Sequence, residues 1–150
     1  MIDSLGRREF LARGAALVGV ALVPAAAASP AEVDREVAGL FGNRPIRAGR
    51  VRLEVPPISE NGYSVPLTVA VESPMTVDDH VRRIVQFAEE NPQPNIARSE
   101  LGPSSGRARI HTRLRLGGSQ KIRALAELSD GSLWSTETFS IVTLAACIIQ

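Results

Sequence analysis

The chain has a single cysteine, Cys147, in the stretch Leu144-Ala145-Ala146-Cys147-Ile148-Ile149-Gln150 that ends the sequence. A disulfide within the chain is excluded by that count. As a thiolate, Cys147 can attack electrophilic sulfur or carbon, and it can form a disulfide only with another molecule. A lone cysteine read by itself is more often a buried or incidental thiol than a reactive one. On a terminal tail it gains a special capacity, since it can be threaded into another protein's active site while the domain stays outside. No basic residue lies close to it in sequence, and Lys121 and Arg123 could approach it only through the fold.

The other residues capable of chemistry are sparse. His80 follows Asp78-Asp79 and reads as a surface turn residue. With His111 and Cys147 it cannot close a tetrahedral structural zinc site without a carboxylate, so no metal is expected. Glycine-rich phosphate loops and HExxH are absent from the sequence, and Gly102-Pro103-Ser104-Ser105-Gly106 reads as a loop. Arg107, Arg109, His111, Arg113 and Arg115 share one face of an alternating run, the pattern of the solvated face of a half-buried strand. Formal net charge is only +1, which gives no global field to draw nucleic acid. Trp134 reads as a core or interface aromatic.

The first 28 residues read as an address. Gly6-Arg7-Arg8-Glu9-Phe10-Leu11 is followed by an apolar run from Ala15 to Val23, then Pro24 and the alanines Ala25 to Ala28. A charged start, a short apolar stretch and a small-residue cleavage site make a secretory signal. The Arg7-Arg8 pair resembles a twin-arginine signal. Processing is expected near Ala28, with a periplasmic protein that begins at about Ser29. In that oxidising compartment an odd cysteine is buried, paired with another chain, or reactive.

The elements that must position Cys147 read mainly as strands. Ser29-Pro30 starts a short helix, an N-cap followed by proline at the first helical position, and Val33, Val37, Leu40 and Phe41 follow helical spacing up to Gly42-Asn43. Val51-Leu53-Val55 and Val65-Leu67-Val69-Val71 alternate, and Asn61-Gly62 between them predicts a tight hairpin. A second block runs from Arg107 to Leu144. It has a turn at Gly117-Gly118, a strand through Ile122, Ala124, Ala126 and Leu128, a hairpin at Asp130-Gly131, and a last strand from about Leu133 to Leu144. Residues 81–90 read as helix from the spacing of Val81, Ile84, Val85 and Ala88, although Val85 and Phe87 also fit a strand. The sum is one domain, an all-β antiparallel sandwich of about seven strands with a short N-terminal helix.

Several stretches together resemble the SoxY family, the sulfur-carrier subunit of periplasmic thiosulfate-oxidation systems. They are Ile58-Ser59-Glu60-Asn61-Gly62, Val65-Pro66-Leu67-Thr68-Val69, Ser73-Pro74-Met75-Thr76, Phe87 to Pro94, Thr112 to Leu116 and Ala126 to Trp134. The resemblance implies an immunoglobulin-like sandwich over residues 29–144, strand for residues 81–90, and a cysteine-bearing arm over 145–150. It implies a heterodimer with a SoxZ-like subunit and no cofactor beyond a covalent sulfur adduct on Cys147. It also implies transient visits to a haem protein that attaches the substrate, a hydrolase that removes sulfate and a molybdenum enzyme that oxidises the sulfane sulfur. The carrier itself turns nothing over.

The family arm ends Gly-Gly-Cys-Gly-Gly. Here Ala145 and Ala146 precede the cysteine, Ile148 and Ile149 follow it, and Gln150 is added. Alanine restricts the backbone that glycine leaves free, and isoleucine is bulky and stiff at χ1. The run from Val142 to Ile149 has the composition to extend the last strand. Three readings therefore stand: a working carrier, a non-catalytic interaction module whose tail no longer carries sulfur, and an enzyme in its own right, which no residue constellation supports.

Overall fold

The computed structural model describes residues 29–146. The expected signal (residues 1–28) and Cys147, Ile148, Ile149 and Gln150 lie outside the described residues. Helix α1 spans Pro30–Phe41. Ser29 precedes it in extended conformation, and the Ser29 N–H donates to the Glu32 carboxylate at 2.9 Å. Gly42 ends it at φ +68°, a left-handed conformation that favours glycine. Val33, Val37 and Phe41 form its buried stripe.

Nine strands follow: β1 (Ile46–Ala48), β2 (Val51–Glu54), β3 (Ile58–Ser59), β4 (Val65–Val71), β5 (Val81–Ala88), β6 (Asn95–Glu100), β7 (Arg109–Leu114), β8 (Gln120–Leu128) and β9 (Leu133–Val142). They form two layers. One sheet has the order β1-β9-β8-β5-β6, with β3 also on β9, and the other has the order β2-β4-β7. Pairing is antiparallel except on β9, which takes β1 and β3 in parallel. Val65, Leu67, Val69 and Val71 of β4 face Ile84, Ile122, Ala124 and Ala126 across the core. Helix α1 covers the outer face of the larger sheet, where Val33, Val37 and Phe41 meet Val85, Phe87, Leu125 and Leu133. The fold is thus the all-β sandwich with a short N-terminal helix that the sequence predicts.

Residues 81–88 are strand, not helix. Strand β5 lies between β8 and β6, and its residues from Ile84 to Ala88 are all buried. One face meets the inter-sheet core and the other meets α1, so alternation is erased and helical spacing is mimicked. Two turn expectations need correction. Asn61-Gly62 does not close a tight hairpin. Strands β2 and β4 do pair, but the link between them carries β3 across to β9. Gly117-Gly118 is not a hairpin either, because β7 and β8 belong to different sheets and the glycines mark the crossing. Asp130-Gly131 does close the β8–β9 hairpin, with Gly131 at φ +81°. The last strand ends at Val142, two residues before the expected end.

Gln86 is a local inconsistency in this core. It is fully buried in β5, and neither amide atom has a hydrogen-bond partner among the described residues. An unsatisfied buried amide costs about 1–3 kcal/mol. Gln86→Met, of similar shape and without that demand, is expected to raise the unfolding free energy by about 1–2 kcal/mol in urea titration.

Candidate functional site

Beyond Val142 the chain leaves the sheet and crosses the end of the sandwich. The Thr143 N–H donates to the Ser59 carbonyl at 3.1 Å, and the Thr143 hydroxyl donates to the Glu60 carbonyl at 3.1 Å. The Gly62 N–H donates to the Leu144 carbonyl at 2.8 Å, and the Ala146 N–H donates to the Leu116 carbonyl at 3.0 Å. Leu116 in turn donates its N–H to the Gly62 carbonyl at 2.8 Å. The tail is therefore stitched to two loops up to the residue that precedes Cys147. Ala145 is exposed, whereas Ala146 is buried at 6% exposure.

Gly62 has no positive φ to explain it. What it supplies is room. A Cβ there would stand 2.5 Å from the Leu116 carbonyl oxygen and 2.9 Å from the Ala146 nitrogen, closer than real Cβ contacts allow. The Leu116 side is braced by two buried amides. Asn91 donates Nδ2–H to the Arg115 carbonyl at 2.9 Å and accepts from the Gly117 N–H at 3.0 Å. Gln120 donates Nε2–H to Asn91 Oδ1 at 3.0 Å and accepts the Glu90 N–H at 2.8 Å. Asn91 and Gln120 were invisible to the sequence reading. Asn91 sits in a proline-rich stretch that reads only as a loop.

The remaining candidates are engaged in contacts of their own. Lys121 pairs with Glu137 at 3.3 Å and Arg123 with Asp34 at 3.1 Å. Nδ1 of His80 lies 3.1 Å from both the Thr76 and Val77 carbonyls, and Nδ1 of His111 lies 2.9 Å from the Thr68 hydroxyl. Among the described residues no three His, Cys, Asp or Glu side chains converge to hold a metal. The arginines of β7 and its flanks are exposed on an edge strand, with Ala108, Leu114 and Leu116 buried opposite. Trp134 is half-buried, with the guanidinium groups of Arg47 and Arg50 at 5.7 and 5.2 Å from its ring. Ile58, Phe139, Ile141 and Leu144 are exposed around the root of the tail.

The family description "Sulfur oxidation protein SoxY" matches residues 37–147, and the match runs up to Cys147 itself. The chain belongs to the SoxY family. Among solved structures it is similar to the sulfur carrier protein SoxY from Chlorobium limicola f. thiosulfatophilum, at 26% identity and a TM-score of 0.65, over 77% of this chain and 100% of that one. It is also similar in fold to the superoxide reductase (neelaredoxin) from Ignicoccus hospitalis, at 16% identity and a TM-score of 0.56, over 77% of this chain and 94% of that one. A putative superoxide reductase from Thermotoga maritima aligns at 23% identity and a TM-score of 0.54, over 64% of this chain and 86% of that one. These two likenesses concern the sandwich alone. A comparison with curated proteins finds no match. Among the described residues no helix is long and apolar enough to cross a membrane.

Proposed function

We propose that the chain is a periplasmic sulfur carrier that holds intermediates covalently on Cys147 and works as a heterodimer with a SoxZ-like subunit. The observation that carries this reading is the SoxY match that extends to Cys147, on a sandwich with the fold of a sulfur carrier protein. The chemistry asked of the chain is small. The Cys147 thiol and thiosulfate join through a new S–S bond, with loss of one proton and two electrons that a redox partner takes up. The adduct then needs only to be presented, so no catalytic residue of the carrier is required.

The missing glycines and the stitched tail favour the second reading, an interaction module without carrier chemistry. One experiment separates them. The processed chain, co-produced with a SoxZ-like subunit, is incubated with thiosulfate and the sulfur-oxidising enzymes of a SoxY-dependent system. The carrier reading expects a mass gain that reductant removes, absent in Cys147→Ser. No gain in the natural chain, under conditions where a glycine-armed SoxY is loaded, supports the interaction module.

A further inference from the structure

Strand β7 is an edge of the smaller sheet, with β4 on one side and no strand on the other. The Val71 N–H donates to the Ala108 carbonyl at 2.8 Å, and the antiparallel register runs unbroken from Ala70↔Arg109 to Val65↔Leu114. In such a ladder every second residue turns both backbone groups toward its neighbour. Ala108, Ile110, Thr112 and Leu114 therefore bond to β4, while Arg109, His111 and Arg113 turn their backbone groups to the open side. Both ends of this open stretch are closed. The Arg107 carbonyl takes the Arg109 N–H at 3.0 Å, and Asn91 Nδ2–H reaches the Arg115 carbonyl at 2.9 Å. Between them the Arg109 carbonyl, and the N–H and carbonyl of His111 and of Arg113, have no partner among the described residues.

The side chains of the same three residues are exposed, and neither Arg109 nor Arg113 is in an ion pair among the described residues. Glu54 shares the rung of His111 but stands two strands away, at about 10 Å. We propose that the Arg109–Arg113 edge of β7 takes an extended acidic segment of a partner protein as an added antiparallel strand. A residue paired with Arg109, His111 or Arg113 lies on the same face as its opposite number. Carboxylates at every second position of the segment then meet the two guanidinium groups, a charge-assisted pairing. Apolar residues between them cover the half-buried Ile110. An added strand brings N–H donors to the open carbonyls and carbonyls to the open N–H groups. A phosphate-rich surface, whether membrane or nucleic acid, brings acceptors alone and leaves the carbonyls unmatched. A second copy of the chain is excluded by charge, because antiparallel pairing about His111 sets Arg109 against Arg113 at both ends. The arginines thus repel self-pairing and select an acidic strand with one feature. None of this depends on the carrier reading of Cys147.

The test uses the whole processed chain and a synthetic peptide with blocked ends, Thr-Glu-Val-Glu-Val-Glu-Thr. Hydrogen exchange at the single amides of β7 is followed by nuclear magnetic resonance. In the free chain the His111 and Arg113 amides are expected to exchange at least tenfold faster than those of Ile110 and Thr112, which bond to β4. Saturating peptide is expected to slow His111 and Arg113 at least tenfold and to leave Ile110 and Thr112 unchanged. Proline at the central glutamate removes the N–H that meets the His111 carbonyl, and it should weaken the peptide at least tenfold. Arg109→Glu with Arg113→Glu should weaken it as much, and a peptide with lysine for glutamate should then bind the variant better than the natural chain. A His111 amide already protected in the free chain overturns the proposal. So does peptide binding that leaves His111 exchange unchanged or tolerates the proline, and so does no binding at about millimolar peptide. Equal slowing of the same amides by oligothymidylate, or by vesicles of phosphatidylglycerol and phosphatidylcholine, would show a general anion surface instead of a strand site. The peptide variants decide the matter even if the doubly substituted chain fails to fold.

Discussion

Glu127→Ala is expected to lower the unfolding free energy by about 3 kcal/mol at neutral pH, one of the largest single-residue effects in the domain. Glu127 is buried at 8% exposure on the outer face of β8. Its carboxylate accepts from Arg44 at 2.8 Å and from Arg83 at 2.6 Å, and the Arg83 guanidinium lies over the Phe41 ring at 4.5 Å. This group ties the end of α1 and the chain leading into β1 onto β5 and β8. Removing the carboxylate leaves the half-buried Arg83 guanidinium without its partner, the costly half of a broken pair. The Arg44 side chain is about 39% exposed, so solvent screening reduces its share.

The same group sets a pH dependence. Burial pushes the Glu127 carboxyl up, but the hydrogen bonds and charges of Arg44 and Arg83 outweigh it and hold the pKa below the ordinary 4.5. A depressed pKa gives stability that is present above 4.5 and is lost as pH falls through the lower folded value. The natural chain should therefore lose stability on acidification below that point. Glu127→Ala should show a shallower loss over the same window in urea titrations. Parallel pH profiles for the two chains would show that Glu127 does not carry this term.

A second large effect is expected at the arm. Replacing Ala145, Ala146, Ile148 and Ile149 with glycine should speed alkylation of Cys147 about tenfold and improve loading by a carrier-dependent enzyme. Glycine at 145 and 146 adds about 0.5–1 kcal/mol of backbone entropy per position to the undocked tail, and tenfold corresponds to about 1.4 kcal/mol for the two together. Ala146→Gly keeps the N–H that meets Leu116, so the gain comes from entropy and the lost buried methyl rather than from a lost hydrogen bond. The natural thiol starts from a weak position. An ordinary cysteine has a pKa of about 8.5, and Lys121 and Arg123 are engaged with Glu137 and Asp34. Equal alkylation rates in the two forms would mean that the stiffness of the tail is irrelevant.

The parts of the fold legible in the sequence are those with a one-sided environment. Helix α1 carries a start signal, a buried stripe and a glycine stop. Strands β2, β4 and β7 alternate because one face of each meets the core, and β8 and β9 alternate over the stretches that α1 leaves uncovered. Strand β5 was ambiguous because helix α1 buries its second face, and nothing in Val81-Arg82-Arg83-Ile84-Val85-Gln86 announces that. Strands β1 and β3 are too short for a period, and β6, half-buried at the sheet edge, has none. Asn61-Gly62 misled for a physical reason. Glycine can be chosen for positive φ or for close approach, and sequence favours the first reading while the fold uses the second. Cys147 stood out by count and position. The contacts that hold its neighbour Ala146 did not, because Gly62, Leu116 and Ala146 are far apart in sequence and meet through backbone groups that every residue carries.

The central claim is that Cys147 of the exported protein carries sulfur. It is tested most directly by the intact mass of the chain recovered from the periplasm of cells grown on thiosulfate, before and after reductant. The expected result is a chain that begins within a few residues of Ser29 and carries a sulfur-containing mass excess on Cys147, lost on reduction and absent in Cys147→Ser. A processed chain of unmodified mass under these conditions, with its SoxZ-like subunit present and thiosulfate being consumed, would contradict it.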